Sequence, residues 1–262
     1  MSVTTLAPQA GSAESPSTVL ERVALLLEAF DEEALTLTDV VNRTGLPRSS
    51  AHRMLDRLVG LGWLRRTGRN YQLGLRLVEF GSLALHQDEL HRAALPLLQE
   101  LHRITGMVVH LGVLTGSDVL YLEKIEGRLG PCVPTRRGGR FPAHKSAIGH
   151  ALLAYEEQTG IDQSLTTSLQ RSRETGIAIE RGQNIRGFSC LAAPVGPPGR
   201  PVAAISICGP TARMSFDHKA VAPIRMASAA IWQNLDRCSG QSTNAQRRRN
   251  LLHSLPSAEL SA

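Results

Sequence analysis

The sequence is poor in the features that commit a chain to a disulfide frame, a metal or a membrane. Its four cysteines, Cys132, Cys190, Cys208 and Cys238, form no close pair and no CxxC, so neither a disulfide framework nor a zinc ribbon is encoded and reduced thiols are expected. No apolar run approaches the roughly 18 residues of a membrane helix, and the N-terminus lacks the basic flank and apolar stretch of a signal peptide. The expectation is a cytoplasmic protein without a membrane partner. GxSxG, GxxxxGKS and HExxH are absent, which removes the commonest signatures of acyl transfer, nucleotide binding and zinc proteolysis. His144 and His150 stand six apart, off a shared helix face, so no metal site and no cofactor are expected.

Acid is also missing where base is concentrated. From Arg43 to Arg76 there are eight arginines and one carboxylate, Asp56. The whole chain of 262 residues carries a formal charge of +6, a prior for a polyanionic partner. With 42% hydrophobic residues, its length is enough for two cores.

Residues 1–16 are small, polar and aperiodic and read as a disordered arm; the tail 239–262 reads as flexible in the same way, with Arg247–Arg249 as a short basic run,. Between them, Val19, Val23, Leu26, Leu27 and Phe30 mark a first helix capped by Ser17 or Thr18. "TLTDVVNRTG" predicts a short second helix with Thr38 as its cap and Gly45 just past its end,. Pro47 opens a third helix to about Leu61. On that helix Ala51, Met54, Leu55, Leu58 and Val59 fall on one side, and Ser49, His52, Arg53, Asp56 and Arg57 on the other,. "GWLRRTGRNYQLG" then predicts a basic hairpin around Thr67-Gly68,.

Three helices and a basic hairpin over 17–74 make a winged helix-turn-helix, and its chemistry is that of double-stranded DNA binding. Arginines neutralise phosphates and read base edges, and a recognition helix offers free amides and a favourable dipole at its N-terminus. Pro47, Arg48, Ser49, Ser50, His52, Arg53 and Arg57 are the expected contacts of the helix, with Arg48 or Arg53 able to pair bidentately with guanine. Arg65, Arg66 and Arg69 are the expected backbone or minor-groove contacts of the wing.

Residues 75–87 read as a connecting helix. From 88 to 238 the pattern is a mixed α+β domain: a helix with Pro96 as a possible kink, an antiparallel pair around Thr115-Gly116-Ser117, a helix from "AHKSAIGHALLAY", another ending at Gly176, two strands flanking "GPPGR" and a closing amphipathic helix,.

"LTDVVNRTGLPRSSAHRMLDRLVGLGWLRR", "YQLGLRLVEFGSLAL", "FPAHKSAIGHALLA" and "GIAIERGQNIRGFSCLAAPVGPPGRPVAAISICGP" together resemble the isocitrate lyase regulator (IclR) family of bacterial transcription factors, over roughly residues 18–235. The resemblance implies a two-domain α+β protein: a winged helix that binds operator DNA, a linker helix that dimerises, and a C-terminal GAF-like domain that binds a small organic-acid or aromatic-acid effector without turnover. It implies a homodimer or a dimer of dimers. It also places an effector pocket at Ser146, Ala147 and Ile148 facing Glu180, Phe188, Cys190, Ser206 and Cys208. Two departures from the family pattern stand out: the stretch from Ala154 to Gly176 is short, and Gly182 and Gln183 replace a pair of acids before Asn184. A thiol-based redox sensor, or an enzyme using Cys190 with His144, is the alternative reading of the same residues.

Overall fold

The computed structural model describes residues 18–31, 33–156 and 163–253, with the side chains of 219 and 238–253 set aside. The chain divides into two compact units between Ala84 and Leu85. The arm expected at 1–16 and the last residues of the tail, 254–262, lie outside the described residues.

In the first unit, helix α1 (Val19–Glu28) opens with a capping box: Glu21 N donates to Thr18 Oγ1 at 3.2 Å, and Thr18 N to Glu21 Oε2 at 3.0 Å,. Of the expected stripe, Leu26 and Phe30 are buried, whereas Val19 is 69% exposed. A two-residue strand, β1 (Leu35–Thr36), precedes α2 (Leu37–Thr44) and was not expected. The cap of α2 is Thr36, not Thr38. Thr36 forms the box because Asp39 stands at the third helical position counted from it, where its carboxylate reaches back to Thr36 N at 2.8 Å. Gly45 ends the helix with φ +68°, a left-handed conformation that costs a residue with a Cβ,.

Helix α3 (Arg48–Gly60) and the hairpin β2 (Leu64–Thr67) and β3 (Asn70–Leu73) follow, and β1 adds to β3 to give the order β1-β3-β2. The turn falls at Gly68-Arg69, one residue later than the sequence suggests, with the positive φ on Gly68. Leu26, Val40, Ala51, Leu55, Leu64 and Tyr71 close the core between helices and hairpin. Helix α4 (Leu75–Gln87) has no buried residue.

The second unit is built on one antiparallel sheet in the order β6-β5-β4-β9-β8-β7: β4 (Val108–Thr115), β5 (Asp118–Ile125), β6 (Arg140–Pro142), β7 (Ala178–Arg181), β8 (Phe188–Val195) and β9 (Ala203–Pro210). The edge strand β6 is absent from the sequence reading; three residues are too few to show alternation. Odd positions of the central strands, Val109, Leu111, Leu191, Ala193, Ile205 and Ile207, pack on helices α5 (Glu89–Thr105) and α8 (His218–His253). Even positions, among them Ala178, Ala192 and Ala204, face α6 (Ala147–Leu153), so the two faces of the sheet serve different neighbours. Helix α7 (Gln163–Thr175) lies against α6 and β7.

Pro96 sits inside α5, which runs unbroken to Thr105. The closing helix does not end near 238. Helix α8 continues to His253, because "SGQSTNAQRRRNLLH" contains no proline and several good helix formers, so its polarity did not mark a loop,.

Candidate functional sites: a basic helix face and a walled cleft

Pro47 has the N-cap position of α3, and no side chain caps that end. The carbonyl of Pro47 receives Ser50 N and Ala51 N, both at 2.9 Å, which leaves the N-terminal dipole open to an anion. Arg48, Ser49, His52 and Arg53 line one open concavity together with Leu37 at the start of α2. Pro47 is exposed and Ser50 half-buried.

The arginines of this unit fall into two groups. Arg43 is held by Asp31 at 2.8 Å and Arg76 by Glu79 at 3.2 Å. Arg66 stays exposed but is engaged within the hairpin: its Nε donates to Gly68 O at 2.9 Å, its guanidinium lies 5.4 Å over the Tyr71 ring, and Nη1 is 3.9 Å from Asp56 Oδ1. By contrast Arg53, Arg57, Arg65 and Arg69 are exposed and make no ion pair among the described residues. Arg48 Nη1 donates to Thr38 Oγ1 at 3.2 Å, tying the first turn of α3 to α2. Asp56, the one carboxylate between Arg43 and Arg76, pairs with His52 at 3.3 Å on the same helix face.

The second site is a narrow cleft in the second unit. Its floor draws on two rows of register partners across the sheet, from which Glu180, Cys190, Cys208, Ser206 and His110 line the cleft. Glu180, Cys190, Cys208 and Val108 form one row on β7, β8, β9 and β4; Ala178, Ala192, Ser206, His110 and Lys124 form the next, ending on β5. The start of α6, at Ser146, Ala147 and Ile148, and the segment Val133–Thr135 supply walls, with Tyr121, Phe141, Asn184 and Ile185. Seven of the eight residues expected here line the cleft. Phe188 does not; it packs against Cys208 and Val133 at one side.

Several lining groups were not expected. His110 is buried, with Nε2 at 2.8 Å from Thr135 Oγ1 and Nδ1 at 3.3 Å from Ser206 Oγ. Burial, and then the charge of Lys124, push its pKa down to about 3, so the ring is a neutral hydrogen-bonding group. Burial raises the Tyr121 phenol, as do the neighbouring Cys190 and Cys208, so it too is neutral. Ser146 Oγ accepts Gly149 N at 2.8 Å. Gly149 has no room for a Cβ, which would stand 1.9 Å from the carbonyl oxygen of Ala143.

Glu180 bonds neither Arg181 nor Arg186. Its Oε1 accepts the backbone N–H groups of Gln183 and Asn184 and so shapes the turn that brings Asn184 to the cleft. A hydrogen bond with Cys208 and burial raise the Cys190 thiol well above its ordinary pKa. His144 lies outside the cleft, in a separate groove with His150 and Arg171, so the structure does not assemble a Cys190–His144 pair. Lys145 reaches the rim.

The wall at Val133–Thr135 is fastened from below. Lys124 Nζ donates to the carbonyls of Gly130, Val133 and Thr135 at 3.2, 3.1 and 2.8 Å and pairs with Glu126 at 2.6 Å. Next to it, Glu123 receives Arg137 at 3.1 Å and His91 at 2.8 Å, the latter from the first turn of α5.

A helix-turn-helix with a wing, followed by an α/β domain with a walled cleft, is the architecture of a transcriptional regulator. Comparison with known proteins makes this specific. A profile described as "IclR helix-turn-helix domain" matches residues 19–68, and one described as "Bacterial transcriptional regulator IclR C-terminal" matches residues 82–232. The chain belongs to the IclR family of bacterial transcriptional regulators. It is 32% identical to the HTH-type transcriptional regulator XynR of Escherichia coli K12 over 74% of this chain and 87% of that one. It is 29% identical to the HTH-type transcriptional regulator KdgR of Dickeya chrysanthemi over 79% and 75%. Among solved structures, an IclR homologue from Microbacterium hydrocarbonoxydans complexed with 4-hydroxybenzoate superposes with TM-score 0.71 at 27% identity, covering 84% of this chain and all of that one. These relatives are regulators, not enzymes. No described helix is long and apolar enough to cross a membrane.

Proposed function

We propose that the protein binds operator DNA through the concavity at the start of α3 and that a small carboxylic acid, aromatic or aliphatic, binds in the cleft and changes operator affinity. Arg48, Ser49, His52 and Arg53 meet base edges, while Arg57, Arg65 and Arg69 meet phosphates. Arg66, exposed on the wing and braced against Tyr71, meets phosphates beside them. The observation that carries the reading is the cleft itself, whose floor and walls bring seven expected residues together with the neutral groups His110 and Tyr121 and with apolar surface. The 4-hydroxybenzoate complex of the Microbacterium homologue supports an acid of that size. Acting in the cytoplasm, the regulator works as a homodimer or a dimer of dimers. Leu75, Val78, Phe80 and Leu83 leave α4 with uncovered apolar surface, which supports pairing with a second copy.

A ligand shifts operator affinity only by preferring one arrangement of the regulator. The test is fluorescence anisotropy on DNA from upstream of the gene, with and without 4-hydroxybenzoate and a panel of aliphatic hydroxy acids, alongside thermal shift. A true effector at about 100 times its Kd stabilises by about 2.7 kcal/mol. If no acid moves either the melting temperature or the operator affinity, the effector assignment is wrong; if upstream DNA is ignored at low salt, the DNA assignment is.

A further inference from the structure

Two of the residues that line the proposed effector cleft are thiols, and side by side they support a second chemistry. Cys190 and Cys208 are direct register partners on β8 and β9. Thr211 N donates to Gly187 O at 2.8 Å on the same strand pair, so hydrogen-bonded pairs fall at odd positions of β8. Cys190 with Cys208 is therefore a non-hydrogen-bonded pair, the kind in which antiparallel Cα atoms approach to about 4.5 Å and side chains lie closest. Pro194, which has no N–H, keeps the same phase opposite Ala204. Neither thiol is in a disulfide, and both line the cleft. Cys190 is half-buried and Cys208 is buried.

We infer that Cys190 and Cys208 form a two-thiol capture site for a trivalent arsenical with one organic substituent, R–As(OH)2, which enters the cleft and bridges both sulfurs. Arsenic in this state is soft and thiophilic, and thiols select soft centres. The step balances without an oxidant: R–As(OH)2 and two Cys S–H groups give R–As(S–Cys)2 and two waters. Two As–O bonds break, two As–S bonds form, each thiol proton leaves with a hydroxide, and arsenic stays trivalent. Cys190, the more accessible, condenses first and Cys208 closes the bridge. Val133, Phe141 and Ile148 offer an apolar wall to the organic group.

The electrophile is uncharged, and the histidine and tyrosine of the cleft are neutral while its carboxylate, Glu180, already accepts two backbone N–H groups.

This inference does not depend on which acid, if any, binds the cleft. The test treats the reduced, folded full-length protein with phenylarsine oxide, which hydrates to the reactive species. Expected are one phenylarsenic per chain, loss of two of the four titratable thiols, retention through excess monothiol, and release by a dithiol such as 2,3-dimercaptopropanol. Proteolysis and mass spectrometry of the unmutated protein should find arsenic joining the peptides of Cys190 and Cys208, so the result does not hinge on a variant that folds. Cys190→Ser and Cys208→Ser should each lose the stable adduct, while Cys132→Ser and Cys238→Ser keep it. An adduct joined to Cys132 or Cys238, one that survives in Cys190→Ser, or one that monothiol removes overturns the inference. Capture as described with no acid-induced thermal shift leaves this site standing and sinks the effector reading; the reverse pair of results sinks only this site.

Discussion

Lys124 Nζ lies 2.8 Å from the carbonyl oxygen of Thr135, whose own hydroxyl is 2.8 Å from His110 Nε2. One buried cation thus holds the wall of the cleft, and the wall holds a floor residue. Replacing Lys124 with Met removes the donor for three carbonyls while keeping the aliphatic stem. An unsatisfied buried polar group costs about 1–3 kcal/mol, so the variant should melt earlier and exchange amide hydrogens faster in residues 129–136. Effector-induced stabilisation should shrink with it. Unchanged exchange across that segment would remove Lys124 from this role.

Acid should weaken the second unit before its carboxylates titrate. His110 has a folded pKa near 3 against an ordinary value of 6.5, and His150 is lowered too, chiefly by burial. The unfolded chain therefore binds more protons below pH 6.5, and stability falls as the pH drops through that value. It continues to fall until the folded pKa is reached, by about 1.4 kcal/mol per pH unit for each such histidine. Thermal melts from pH 7.5 to 4.5 should show the decline, and His110→Asn should make it shallower. An equally steep decline in the variant would mean that His110 is not a source.

Arg53 and Arg69 separate reading from attraction. Arg53→Ala should lower preference for the operator over random DNA by about 1–3 kcal/mol if it pairs with a guanine. Arg69→Ala should weaken both DNAs alike and reduce the slope of log affinity against log salt by about one unit. Arg66→Ala should instead loosen the hairpin, seen as a lower melting temperature, because its guanidinium is engaged with Gly68 and Tyr71. Anisotropy titrations at several salt concentrations distinguish the three.

Thr36→Ala should cost about 0.5–2 kcal/mol of stability, as loss of a helix cap does, while Thr38→Ala should leave α2 intact and affect only the contact with Arg48. Urea unfolding of the two variants ranks them. A larger loss at Thr38 would reverse the assignment of the cap.

The sequence made the secondary structure legible wherever one period ran long enough. The outer and inner faces of α3 emerge from 100° steps, and Ala51, Leu55 and Leu58 are buried as those steps require. "PVAAISICG" reads as a strand because it is short, apolar and flanked by turn residues. The α2 cap was ambiguous because Thr36 and Thr38 both precede hydrophobic positions, and the choice depends on where Asp39 reaches. His110 could not be assigned to the cleft from sequence, since its partners Thr135 and Ser206 lie 25 and 96 residues away and meet it only through strand order. Arg66 looked like any other basic residue of the wing because its ring partner, Tyr71, is opposite it only once the register is fixed.

Because the floor of the cleft is written on every second position of β7, β8, β9 and β4, while the intervening positions belong to the packing of α5 and α8, the sheet keeps two independent texts on one backbone. Point changes at 190 or 206 can alter the cleft while leaving the packing against α5 and α8 in place. Inserting or deleting a single residue within these strands exchanges the two texts and ruins both. New ligand preferences in this lineage should therefore arise by substitution within the strands and by length changes only in the connections between them.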